Sequence, residues 1–166
     1  MRVYVPATLA MLQRLVADGA IGAVSGTAFA VTPTLREFYA QGDDDELADV
    51  ALREAALASL RLLAADDPTA GLPPRRAVLV ADVEDATARR DLDDAVVRLS
   101  GPVDLDTVIA VYVDNAAAES AVVAAIDAVD AADLGDEDAE LIVGDAQDHD
   151  LAWYATQELP FLLELL

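Results

Sequence analysis

The sequence predicts an α/β domain: a single mixed sheet of five or six strands with helices packed mainly on one face. Three observations carry this expectation. Short β-branched runs (Val3-Tyr4-Val5, Ala77 to Val83, Val108 to Val113) are interspersed with longer stretches of helical periodicity. Glycine, proline and acidic clusters punctuate the boundaries. The 166 residues, 55% of them hydrophobic, suffice for one buried core without a disulfide or metal, so residues 1–166 are expected to form a single domain.

Arg2 to Pro6 alternates in strand fashion, and Thr8 stands where a side-chain oxygen caps a helix whose Leu9, Leu12 and Val16 share one face. Gly19 ends that helix. Ala28 to Val31 is the next strand. Thr32 followed by Pro33 then reads as a cap with proline at the first helical position, opening a short helix with Leu35, Phe38 and Tyr39 inward. Asp43 to Glu46 set four acids at the positive end of a long Ala/Leu helix that runs to Ala65. Its polar stripe (Glu46, Asp49, Arg53) is narrow, so this helix is expected to be the central cover of the sheet.

Asp66 to Arg76, rich in proline and glycine, predicts an exposed connection. Three strands follow, over Ala77 to Val83, Ala95 to Ser100 and Val108 to Val113. Asn115 is the expected cap of an alanine-rich helix to Ala132. Val122, Ile126 and Val129 lie on one face of it, and Glu119, Ser120, Asp127 and Asp130 on the other. In the acidic stretch beyond, Ala139 to Val143 is compatible with a short strand or a helical turn. Leu151 to Ala155 reads as a final strand, with Thr156 as the cap of a terminal helix.

The two ends of the chain resemble each other. Val3-Tyr4-Val5 matches Val111-Tyr112-Val113, and an aromatic-bearing strand runs into Thr32 as another runs into Thr156. An internal duplication of a β-α-β-α unit is one reading, its two β-helix-β crossovers, Arg2 to Val31 and Val108 to Ala155, being right-handed if their strands are parallel. Chance matching in an alanine-rich chain is the other.

Charge narrows the function. The chain carries ten cations, all arginine, against 32 acids, for a net charge of -22, and residues 101–166 hold sixteen acids without one cation. Such a surface repels DNA, RNA and anionic membranes, since phosphate contacts need Lys or Arg. The absence of cysteine removes thiol chemistry and thiolate zinc sites and suggests the cytoplasm. No uncharged stretch has the composition of a membrane span. Neither a glycine-rich dinucleotide loop nor a phosphate loop is present, the latter requiring a lysine the chain lacks. No cofactor is predicted.

His149, the only histidine, lies between Asp148 and Asp150 and is the one candidate general base. No serine sits in a nucleophile-elbow motif to partner it, so a solvated loop histidine is the competing reading. Carboxylates recur through Asp136 to Asp150, but a calcium loop read from Asp136 meets Leu141 where its glycine belongs and lacks the closing glutamate. Asp82, Glu84, Asp85, Asp91, Asp93 and Asp94 form a second acidic group, read as solvated loop. No tight metal site is therefore expected. Arg75-Arg76 and Arg89-Arg90 could grip an anionic ligand, but in an acidic region the leading reading is surface residues pairing with nearby acids. Trp153, Tyr154 and Phe161, with Tyr4 and Tyr112, are either core or the lining of a pocket or partner surface.

The strings MRVYVPATLAML, FAVTPTLREFYAQGD, RRAVLVADV and DLAWYATQELPFLL together resemble a family of small actinobacterial proteins of unknown function. The resemblance implies a single-domain cytoplasmic protein and carries no catalytic residues. The leading functional expectation is a non-enzymatic interaction or regulatory domain. Its acidic face (Glu119, Asp127, Asp130, Asp136, Glu137, Asp138, Glu140) would meet a basic protein surface. The alternative is a small-molecule binding protein or enzyme using carboxylates with His149, and a lesser one is a mimic of nucleic acid.

Overall fold

The computed structural model describes residues 1–65 and 71–166. In chain order its main elements are β1 (Arg2–Ala7), α1 (Leu9–Asp18), β2 (Ala20–Ile21), β3 (Thr27–Phe29), α2 (Pro33–Phe38), α3 (Asp44–Ala65), β4 (Ala77–Asp82) and β5 (Ala86–Ala88). They continue with β6 (Val96–Leu99), β7 (Val103–Asp104), β8 (Val108–Val113), α4 (Glu119–Asp133), α5 (Glu137–Gln147), β9 (Ala152–Ala155) and α6 (Leu159–Glu164). The expected connection Asp66 to Arg76 falls partly outside the described residues.

Local signals place the helix ends. The Thr8 hydroxyl accepts from the Met11 N–H at 3.2 Å, Thr32 accepts from Leu35 at 3.1 Å, and Asp43 accepts from Glu46 at 2.8 Å. Gly19 closes α1 with φ +80°, a conformation favouring a residue without Cβ. Phe38 and Tyr39, expected inward, instead lie outward and pack edge-to-face on each other. Thr156 does not cap α6. Its hydroxyl donates to the Val108 carbonyl, and a short 3-10 turn, Thr156–Glu158, precedes the helix. Asn115 likewise makes no side-chain cap.

The sheet corrects the expectation of a mixed, five- or six-stranded sheet covered on one side. It has seven strands in the order β5-β6-β3-β1-β4-β8-β9, and every neighbouring pair is antiparallel. The short β2 and β7 form a separate ribbon. Alternation and β-branching report which face a residue occupies, not which way its strand runs, so they carried no information on direction.

Helices cover both faces. On one, α1 and α6 bring Leu9, Leu12, Leu15, Leu159 and Leu162 onto Val3, Val5, Leu79, Val97 and Val111. On the other, α2 and α3 bring Leu35, Leu47, Ala51 and Ala55 onto Tyr4, Phe29, Val78, Val80 and Ala110. Strand β4 therefore buries both its faces, which is why Ala77 to Ala81 is an unbroken apolar run. Outside α3, the α4–α5 hairpin adds a further layer, in which Leu60 meets Val122, Val129 and Val143. Each buried leucine or valine in these layers contributes roughly 1.5–3 kcal/mol relative to exposure.

The duplication fails on the aromatic pair it equates. Phe29 is buried on the interior strand β3, whereas Trp153 is 57% exposed on the edge strand β9. Helix α1 also packs on the face opposite to that covered by α3, against which α4 is packed.

One acid on α3 pays an electrostatic penalty. Glu54 is half-buried, and burial chiefly, then the nearby Asp93, raises its carboxyl pKa, with Arg61 partly offsetting the rise. A raised folded-state pKa means the native state holds the proton more tightly. The stability this contributes is complete below the ordinary glutamate range and is lost as pH rises through the folded value. Glu54→Gln should therefore raise the urea midpoint at pH 7, by a gain below about 1 kcal/mol because the carboxylate keeps part of its solvent. The gain should narrow as pH falls towards about 4.3. An equal or lower midpoint at pH 7 would contradict this account.

Candidate functional site

Two regions gather the polar residues singled out by the sequence. The first is the α4–α5 hairpin. Its turn is a Schellman motif: Gly135, at φ +94°, donates to the Ala132 carbonyl, and Asp136 donates to that of Ala131. Asp136 then caps α5, its carboxylate accepting from the Ala139 N–H at 3.0 Å, and Glu137, Asp138 and Glu140 occupy the first turn. Negative charge there complements the positive helix end. The stretch read as a strand or helical turn is thus a full helix, and its acids have a structural use that charge counting alone missed.

Of the seven acids expected to form one face, Asp127, Asp130, Asp136, Glu137, Asp138 and Glu140 are exposed on this hairpin. Glu119 is half-buried and paired with Arg75 at 3.3 Å. Asp133 is held by Arg61 through two hydrogen bonds of 3.0 and 2.9 Å, which keep its carboxyl below the usual range. Arginines from the first hundred residues therefore reach across to the acidic half at three points, the third being Arg76 with Asp114. Among the described residues, none pairs with the acids of α5. Two leucines stand among those acids in the open: Leu134 is 90% exposed and Leu141 is 70% exposed.

The second region surrounds His149. Contrary to the surface role expected of the arginine pairs, Arg76 is 1% exposed and Asp114 fully buried. The Arg76 Nε and Nη2 donate to the two Asp114 oxygens at 2.9 and 2.8 Å, and the Arg76 backbone N–H donates to Asp114 at 2.8 Å. Further bonds run from Nη1 to Gln147 Oε1 and from Nη2 to the His149 carbonyl, both 2.9 Å, while Gln147 Nε2 donates to the Arg53 carbonyl at 3.2 Å. The network ties the end of α5 to the ends of β4 and β8 and to the flank of α3.

That tie shapes a cleft of about 270 Å³. Asp49, Leu52, Arg53 and Ala56 of α3 form one wall, Gln147, His149, Asp150 and Leu151 the other, and Arg76 and Tyr112 also line it. Tyr112 lies directly across the β8–β9 ladder from Trp153, so the exposed indole stands beside the cleft on the same sheet face. His149 is thus a partly buried cleft residue. Among the described lining residues there is no serine, threonine or lysine to act as a nucleophile.

The acids of the second sequence group do not converge. Asp82, Glu84 and Asp85 line an open cleft with Asp104 and Thr107, whereas Asp91 is bonded to Arg89. Among the described residues, no three acids or histidines come together in a way suited to holding a metal, and no helix is long and apolar enough to cross a membrane. Tyr4 is buried, Tyr154 half-buried and Phe161 exposed, so only Tyr112 of the aromatic set lines the His149 cleft.

A family model described as a family of unknown function (DUF6912) matches residues 1–163. No curated protein and no solved structure matches the chain.

Proposed function

We propose that the chain, which belongs to that family of unknown function, is a non-enzymatic interaction domain whose α4–α5 hairpin meets a basic, amphipathic surface on a partner protein. The observation that carries this reading is the exposure of Leu134 and Leu141 beside the α5 acids Glu137, Asp138 and Glu140, which have no ion-pair partner among the described residues. Acids alone serve solubility. Two large apolar side chains on the same hairpin add anchors that solubility does not need, and anchors ringed by charge suit a partner bearing arginine or lysine around an apolar stripe. The cysteine-free composition fits a cytoplasmic setting.

The test is affinity capture from the source cell at low and at physiological salt. It compares the native chain with Leu134→Ser/Leu141→Ser and with Glu137→Gln/Asp138→Asn/Glu140→Gln. Asp136 is left intact because its loss as a cap would cost about 1 kcal/mol of stability by itself. A partner recovered at low salt should be depleted about tenfold by either variant, equivalent to roughly 1.4 kcal/mol, and should associate more slowly as salt rises. Capture unchanged by both variants would remove the hairpin from the interaction.

A further inference from the structure

We propose that the cleft between α3 and the Gln147–Leu151 segment is a binding site for a small zwitterion, an α-amino acid with an apolar or aromatic side chain. The inference is independent of the α4–α5 reading, since none of the cleft groups it uses lies on that hairpin's exposed face.

Charge gives the class. Asp49 and Arg53 stand one helical turn apart on the same wall, their Cα atoms separated by about 6 Å along the axis, yet they form no ion pair with each other. Both are solvent-exposed, and the Arg53 guanidinium makes no hydrogen bond among the described residues. A carboxylate and a guanidinium so placed offer one site for an ammonium and one for a carboxylate. A net anion would have to enter against the field of a chain carrying -22 and against the lining acids Asp49 and Asp150, whereas a ligand with only a cationic end would satisfy those acids and leave the Arg53 guanidinium unmatched. A zwitterion matches both signs, its ammonium towards Asp49 and Asp150 and its carboxylate towards Arg53.

Shape and stiffness give the size. At about 270 Å³ the cleft falls just below the range of roughly 300–1,000 Å³ common for drug-sized ligands, a size suited to a small metabolite. Leu52, Leu151 and the Tyr112 ring supply apolar surface for a side chain. The far wall is preorganised: Gln147 bridges Arg76 and the Arg53 carbonyl, and Arg76 holds the His149 carbonyl. Four of the five Arg76 guanidinium N–H groups are engaged, which fixes this side chain in place.

The chain supplies its own reporter, because Trp153 is the only tryptophan and lies across the ladder from Tyr112. The probes are L-phenylalanine and L-leucine. N-acetyl-L-phenylalanine, which lacks the ammonium, and L-phenylalanine amide, which lacks the carboxylate, serve as one-ended analogues. Binding is read by tryptophan fluorescence and by calorimetry on the native chain, Arg53→Gln and Asp49→Asn. Both substitutions sit at exposed helix positions, and thermal melts confirm folding. Saturable binding of a free amino acid, weakened at least about tenfold in each analogue and each variant, is the expected result. Three results overturn the proposal: no saturation by either amino acid up to about 10 mM, an analogue binding as well as its parent, or a variant that binds undiminished.

Discussion

Replacing Arg76 by methionine is expected to lower folding stability by about 3–5 kcal/mol, the cost of leaving one member of a buried ion pair without its partner. Asp114 is fully buried, and both of its oxygens face the guanidinium. Methionine fills much of the volume and supplies none of the charge. The same change releases Gln147 and the His149 carbonyl, so the far wall of the cleft loses its tie to the sheet. Against a typical total of about 5–15 kcal/mol the loss is large, and the melting temperature should fall by roughly 6–20 °C.

The double replacement Arg76→Met/Asp114→Leu is the informative companion. Because removing both charges avoids the uncompensated ion, it should recover most of the lost stability in urea unfolding, though not the order of the cleft wall. A loss below about 1 kcal/mol in the single variant would mean that Asp114 is rescued by solvent or by protonation.

These expectations could not be formed from the sequence, and the reason is physical. Arg75-Arg76 precedes the apolar strand β4, and an arginine at such a boundary is usually a surface residue. Its burial depends on Asp114, which is 38 residues away and arrives only through the β4–β8 pairing. Features set by neighbours in sequence were legible: the caps at Thr8 and Thr32, the stop at Gly19, the acidic start of α3 and most strand positions. Features set by contact were not. Strand direction, the β2–β7 ribbon and the covering of both sheet faces all depend on which segments meet.

The same division holds for the site. Composition located the acidic half, but not which acids cap a helix, as Asp136 does, and which are tied to arginine, as Asp133 is. His149 stands out in the sequence as the lone histidine, while one wall of the cleft beside it comes from α3, whose Asp49 and Arg53 read in sequence only as a polar stripe. Exposed Leu134 and Leu141 had no signal, because an apolar residue in an acidic stretch reads equally as core.

Ser59→Ala is expected to cost about 2–4 kcal/mol, although helix propensity alone argues for the opposite sign. In an isolated helix the change would gain about 0.5 kcal/mol. In this fold Ser59 is fully buried on α3, where its hydroxyl donates to the Ala7 carbonyl at 2.7 Å and accepts from the Ala77 N–H at 3.0 Å. Ala7 ends β1, Ala77 begins β4, and the two are register partners, so one hydroxyl joins the long helix to both central strands. Alanine leaves that carbonyl and that N–H without this partner in the interior, at about 1–3 kcal/mol for each group left unsatisfied. The penalty therefore exceeds the propensity gain several-fold. Ser120→Ala supplies the control: Ser120 is exposed on α4 and makes no side-chain hydrogen bond among the described residues, so its replacement should leave stability within about 0.5 kcal/mol of the native chain. Equal urea midpoints for the two variants would show that α3 is held to the sheet by apolar packing alone and that the Ser59 bonds contribute nothing net.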